Sequence, residues 1–449
     1  MKSVLLAVPL VLAACSSQNQ PPSPEPPPET PNSAPLASAS APNDSPAPTM
    51  PAKLDTPPPE NDVQALARSY NALGADLYKK LRSASAGKGN LAMSPASIGI
   101  ALGMTWLGAR GDTAQQMQKT MHLTLEPAAL EKAHAGVLSE WLAPNTDDLV
   151  LRVANRLFVE RTLKVEAPFL KATRDGFGAP VELMDFAKAP GPSRTRINDW
   201  VSQQTRERIR DLLPPDGVSN DTRVVLTNAM YFKAKWATPF EESATKPKPF
   251  YAEGTRKIGA PTMSQVGHYA YREVGDVEVA EIPYSGARFA MAIVLPKKRD
   301  GLGGVEDKLS AEVLQSWLGG KQEHKRLRLE LPKFKVEPGA TVRLKDALSE
   351  LGMPVAFDRA KADFTGIHVF KRPEDRLLIS NVFHKAFVEV NEKGTEAAAA
   401  TAVSMAKAGA APPSDEPKPF VADHPFLFVL RDVKSQMVLF IGRVTQPKG

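Results

Sequence analysis

Apolar residues recur at spacings of three and four from Val63 through Leu66, Tyr70, Leu73 and Leu77 to Leu81, which predicts an amphipathic helix behind Asn61 or Asp62 as its cap. A second stripe runs Ile197, Trp200, Val201, Ile209 and Leu212, and a third, Leu344, Leu348 and Leu351, is ended by Gly352 and Pro354. Elsewhere the period is two. Residues 326–331 alternate strictly, as a strand with one wet face does, while 289–295 are apolar throughout, as a strand buried on both faces requires. Two further strands, 426–430 and 437–441, are predicted on either side of the polar turn 431–436. Helical patterns gather early and strand patterns late without regular alternation, so an α+β fold is expected rather than a doubly wound sheet. No internal repeat is visible and nothing between 61 and 390 reads as a linker, so 61–449 is expected to form one domain.

The first sixty residues depart from this pattern. Lys2 precedes an apolar run over 4–14, about as long as a signal-peptide core and shorter than the roughly 20 residues that span a bilayer. The run ends in Leu12-Ala13-Ala14-Cys15, which resembles the lipobox of bacterial lipoproteins and implies a lipid on Cys15; an unmodified cysteine at an ordinary signal cleavage site is the alternative. Ser16, where Asp would retain a lipoprotein at the inner membrane, resembles the outer-membrane sorting pattern. The expectation is therefore an exported chain, lipid-anchored in the cell envelope or extracellular. Residues 16–60 hold 15 of the 41 prolines and almost no large apolar side chain, which predicts a disordered, partly polyproline tether.

Composition narrows the chemistry. Cys15 is the single cysteine among 449 residues, so disulfide scaffolds are excluded, and with Cys15 lipidated the body of the chain would hold no thiol for a cysteine nucleophile or a thiolate metal site. The net charge is +6 overall and, since residues 1–60 carry two lysines and five acids, +9 beyond residue 60. Arg206, Arg208 and Arg210, and likewise Lys325, Arg326 and Arg328, alternate with acids in the manner of a solvated face, and no nucleic-acid partner is expected. There is no G-x-S-x-G elbow, no G-x-x-x-x-G-K-[ST] loop and no H-E-x-x-H. The seven histidines, at 122, 134, 268, 324, 368, 384 and 424, never fall at metal-ligand spacing, and no cofactor is expected. His384, in an apolar-rich stretch, reads as a buried hydrogen-bonding histidine. Arg110-Gly111-Asp112 spells an adhesion tripeptide but sits where a helix stop and a cap are due.

The informative segment is 391–413, NEKGTEAAAATAVSMAKAGAAPP. By propensity alone 396–408 is a helix former, yet strand patterns flank it. Taken with period two, one face carries Thr395, Ala397, Ala399 and Thr401, all small enough to enter a sheet interior, while Glu396, Ala398 and Ala400 face outward. Gly394 supplies a hinge.

These residues resemble the serpins. Glu392-Lys393-Gly394-Thr395-Glu396-Ala397-Ala398 is similar to the hinge of inhibitory members, and hinge positions continue through Ala399, Ala400 and Thr401. Residues 90–97, NLAMSPAS, resemble the start of the family's shutter helix; 228–236, NAMYFKAKW, a central-sheet strand with its breach tryptophan, Trp236; and 384–386, HKA, the strand across that sheet. His424-Pro425-Phe426 and 440–444, FIGRV, are similar to the closing strands. The resemblance implies helices around a large central sheet plus two smaller sheets, an exposed reactive-centre loop at about 391–419, and a buried shutter cluster of Ser94, Ser97, Asn228 and His384.

It also implies a non-enzymatic function. A serine protease cleaves the loop, becomes trapped as an acyl-enzyme, and is carried away as the hinge inserts into the central sheet. Counting the family's usual spacing from Glu392 puts the scissile bond at Ala408-Gly409, which suits an elastase-like or subtilisin-like target; a loop one residue shorter would use Lys407-Ala408 and suit trypsin-like proteases. Residues 409–420 look a few residues long for the family. A monomer is expected, meeting the membrane only through Cys15. The rivals are a non-inhibitory serpin acting as a binding or folding-assistant module, against which the small inward residues argue, and a hydrolase with dispersed catalytic residues.

Overall fold

A computed structural model describes residues 49–447 except 144–145, 321–322, 338–339, 373–374 and 396–415. The chain divides into Met1–Asp44, which lies outside the described residues, and Ser45–Gly449. The second unit runs α1 (Glu60–Ala84), β1 (Leu91–Met93), α2 (Pro95–Trp106), α3 (Gly111–Thr120), α4 (Pro127–Trp141), β2 (Leu149–Glu160), α5 (Ala167–Phe177), β3 (Val181–Met184), α6 (Pro190–Gln204) and β4 (Val224–Lys235). There follow β5 (Lys246–Ala252), β6 (Arg256–Val274), β7 (Val277–Pro283), β8 (Phe289–Pro296), α7 (Leu302–Asp307), α8 (Ala311–Leu318), β9 (Glu323–Pro332), β10 (Phe334–Val336), β11 (Val342–Arg343) and α9 (Lys345–Glu350). The chain closes with β12 (Phe383–His384), β13 (Val388–Asn391), β14 (Gly394–Thr395), β15 (Lys418–Val421), β16 (Phe426–Asp432) and β17 (Val438–Val444).

The strands form three sheets. Six make the order β10-β13-β14-β4-β2-β3, nine make β1-β17-β16-β8-β7-β6-β9-β15 with β5 on β6, and β11 pairs with β12. The continuous apolar run at β8 is buried at every position, as its place between β7 and β16 demands. α2 is buried almost all round and packs beneath β4, with Met230, Phe232 and Ala234 turned into the same large core as Ile98 and Leu102. On the opposite face of that sheet a smaller core joins Ile197, Trp200 and Val201 of α6 to Ala154, Phe158 and Ala229.

Several local expectations are corrected. α1 begins at Glu60 behind Pro59, and neither Asn61 nor Asp62 caps it; both lie within its first turn, where an acid favours the helix dipole. The stripe reaching Leu212 is not one helix. α6 stops at Gln204 because Arg206 and Glu207 take left-handed φ values of 49° and 63°, after which Ile209 and Leu212 rejoin the same core from a loop. In the adhesion-like tripeptide, Arg110 is the cap and Gly111, at φ 50°, opens α3. The expected tether gives way to packed chain before residue 60: Pro51 is buried, Ala52 N–H donates to Asp175 O at 2.9 Å, and Lys132 Nζ donates to Thr56 Oγ1 at 3.1 Å. Gly178, at φ 58°, has no room for a Cβ, which would fall 2.2 Å from Thr49 O. Residues 16–48 lie outside the described residues, as does Cys15.

Candidate functional site

The six-stranded sheet brings Gly394 and Thr395, expected as hinge residues, against the end of β4 beside Trp236, the expected breach tryptophan. β13 and β14 form a tight hairpin through Glu392 and Lys393, with Val390 opposite Thr395, and β14 pairs in turn with β4, Thr395 facing Ala234 and Gly394 facing Lys235. Gly394 is at φ 150°, and a Cβ there would sit 1.9 Å from Ala234 O, so only glycine permits this approach. The turn is fastened by the end of β4: Trp236 N–H donates to Lys393 O at 2.9 Å, Phe240 N–H to Glu392 O at 2.8 Å, and the Trp236 indole N–H to Asn391 O at 2.9 Å.

Glu392 is nearly buried, and burial pushes its carboxyl up. Its own backbone N–H, Thr245 Oγ1 at 2.9 Å and Lys333 Nζ at 3.1 Å more than offset this and leave it below the ordinary carboxylate range. Beneath the hairpin, Thr395 is 3% exposed and its Oγ1 lies 2.5 Å from Tyr284 Oη, while the Tyr284 ring stacks on Trp236 at 4.5 Å. Burial drives the Tyr284 phenol well above its usual range, so it stays a hydroxyl that can share this bond.

Below Ala234 the sheet has a different character. Among the described residues no strand pairs with β4 on the side facing β13, so its edge from Val224 to Lys233 borders a slot. An apolar cavity of about 100 Å³ opens there between α2, residues 224–228 and residues 377–384.

At the edge of this cavity stand Ser94, Ser97, Asn228 and His384, but they do not form a single closed ring. Ser94 caps α2, its Oγ accepting from Ser97 N–H at 3.1 Å, and its own N–H donates to His384 Nε2 at 3.1 Å. Ser97 Oγ donates to Asn228 Oδ1, Asn228 Nδ2 donates to Asn155 Oδ1 at 2.5 Å, and Asn155 Nδ2 ends the chain on Phe177 O at 2.8 Å. Asn155 was not singled out from the sequence. Its signal is a lone amide inside the apolar strand 149–159, and it sits directly opposite Asn228 in register. His384 is 5% exposed, and burial lowers its pKa to about 4, consistent with a neutral ring accepting from a backbone N–H. The remaining predicted positions, Ala397, Ala398, Ala399, Ala400, Thr401, Lys407, Ala408 and Gly409, lie outside the described residues.

Residues 68–447 match the family described as serpin (serine protease inhibitor). A serpin-like protein of Thermococcus kodakarensis is 37% identical over 389 residues, covering 87% of each chain, and the human leukocyte elastase inhibitor is 35% identical over 398 residues, covering 86% of this chain and all of the relative. Mouse antithrombin-III is 34% identical over 86% of this chain and 82% of its own. Among solved structures, a highly specific serpin of the insect Tenebrio molitor superposes with a TM-score of 0.73 at 32% identity, over 86% of this chain and 99% of that one. The chain belongs to the serpin family and has its fold.

Proposed function

We propose that this chain is a suicide-substrate inhibitor of serine proteases and not itself an enzyme. The observation that carries this reading is the β14 hairpin. Thr395 pairs on both sides, with β13 and with β4, at the head of a slot open below it. If pairing continued in the same register after cleavage, Thr401 would come opposite both Asn228 and His384, and residue 405 opposite Val224 at the foot of β4. The inward positions of that stretch, Ala397, Ala399 and Thr401, are small.

The energetics are adequate. About ten inserted residues gaining ~0.5–1.5 kcal/mol per ladder bond release on the order of 10 kcal/mol, comparable to the whole stability of a typical domain. A loop held out of such a slot is therefore a store of free energy that cleavage releases. The reactive bond in this reading is Ala408-Gly409, with Lys407-Ala408 as the shorter alternative, and small-pocket elastase-like or subtilisin-like proteases are the favoured targets. Lipidation of Cys15 would hold the inhibitor at the envelope; incorporation of labelled palmitate that persists in a Cys15→Ala variant would exclude that anchor. The trap itself is tested on a denaturing gel after mixing with elastase, subtilisin and trypsin. A covalent band of inhibitor plus protease is expected with at least one of them, and clean loop cleavage without a complex would overturn the reading.

A further inference from the structure

On the outer face of the six-stranded sheet the Arg152 and Arg206 guanidinium groups lie near one another, with no carboxylate paired to either among the described residues. Met230 and Phe232 point into the large core, so Tyr231 between them faces outward, and Arg152 of β2 lies directly opposite it in register. Just past the end of α6, Arg206 is held at φ 49° with its Cζ 5.6 Å from the centroid of the Tyr231 ring. Two donors of Arg152, Nε and Nη1, are buried and have no hydrogen-bond partner among the described residues. Among the described residues neither Arg152 nor Arg206 has an ion-pair partner, and Glu207, the acid next to Arg206, is taken up by Ser202 Oγ at 2.8 Å and Arg210 Nε at 3.4 Å.

Occluding cationic donors without a counter-charge is costly, and orphaned buried donors commonly mark the position of an ion or water. Burial and the Arg206 charge both disfavour the Arg152 cation, in that order. An anion would relieve both at once.

We propose that Arg152 and Arg206 form a binding site for a tetrahedral oxyanion, sulfate or phosphate, between the turn after α6 and the β2–β4 face. Arg152 supplies occluded, pre-placed donors and Arg206 closes over the ligand from the exposed side. Because β4 also borders the slot, an anion there ties the α6 turn to the strand on which insertion proceeds. That consequence rests on the trap reading, whereas the binding itself does not.

The test is titration of the full chain with sodium sulfate, and separately with inorganic phosphate, against sodium chloride of matched ionic strength, followed by calorimetry and thermal unfolding. Expected is saturable binding, with Tm raised by about 2–4 °C at saturation and affinity lowered at least tenfold in Arg206→Gln. Arg206 is exposed, so this variant keeps the fold; Arg152→Gln is the second arm and should lose binding as well. Sulfate also stabilises proteins in general by exclusion from their surface. A Tm rise that is linear in sulfate and equal in wild type and Arg206→Gln, with no heat of binding, would overturn the site.

Discussion

The Thr395 hydroxyl lies 2.5 Å from that of Tyr284, whose ring stacks on Trp236 at an interplanar angle of 14°. Thr395 is thus buried beside the Tyr284–Trp236 stack, where a charged side chain would be desolvated. Thr395→Arg would have to bury a guanidinium there or pull the hairpin out. We expect cleavage of the loop to continue at an undiminished rate while the SDS-stable complex disappears, turning inhibitor into substrate. An unchanged yield of complex from this variant would rule out insertion through the β13–β4 slot.

The acid response should follow His384. Burial lowers its pKa to about 4 from an ordinary 6.5, and His134, whose Nε2 lies 2.6 Å from the Tyr70 hydroxyl, is likewise lowered to about 4 by burial. Both are groups that fold neutral. Above pH 6.5 folded and unfolded imidazoles are both uncharged and their contribution is flat; between 6.5 and 4 the unfolded ring binds a proton that the folded ring refuses, so stability falls as pH falls. The ceiling is about 3 kcal/mol per histidine, reached below pH 4. His384→Gln should flatten this slope by roughly half the histidine share, measured as urea midpoints at pH 7, 5.5 and 4.5. Parallel pH profiles for wild type and variant would show that the pKa of His384 is not lowered by folding.

What the sequence made legible tracks how local the cause is. The period-two alternation of 326–331 and the apolar run at 289–295 became β9 and β8, because burial on one face or two leaves a direct imprint on spacing. His384 was readable as a buried hydrogen-bonding histidine from its apolar neighbours, and its accepting role only from the structure. The end of α6 was not readable, since it depends on two left-handed backbone angles at Arg206 and Glu207 that neither residue type favours. The partner of Asn228 was not readable either. Asn155 is separated from it by 73 residues, and only the antiparallel register of β2 on β4 sets the two amides face to face.

That amide pair carries its own prediction. Asn155 accepts from Asn228 and donates to Phe177 O, so Asn155→Ala leaves a buried donor and a buried carbonyl unpaired at one stroke. The expected loss is about 1–3 kcal/mol, read from the shift of the urea midpoint at unchanged m-value. Since Asn228 also accepts from Ser97 of α2, loosening it should ease separation of β2 and β4 from α2 and speed spontaneous loss of inhibitory capacity on warming. A variant with wild-type midpoint and wild-type decay would mean that water fully replaces the amide.

The last prediction concerns the bond that is cut. From Thr395 opposite Ala234, the residue that would meet Val224 at the foot of β4 is Met405, so both Lys407-Ala408 and Ala408-Gly409 lie just beyond the stretch the slot can take. Geometry therefore admits either bond, and the choice falls to the pocket of the protease. A small pocket accepts Ala408 and rejects the long cation of Lys407, whereas a trypsin-like pocket, with an acid at its base, does the reverse. Mass spectrometry of the C-terminal fragment released by elastase is expected to give a peptide beginning at Gly409, together with a covalent complex. If the complex forms only with trypsin and the fragment begins at Ala408, the reactive bond is Lys407-Ala408 and the target class changes with it.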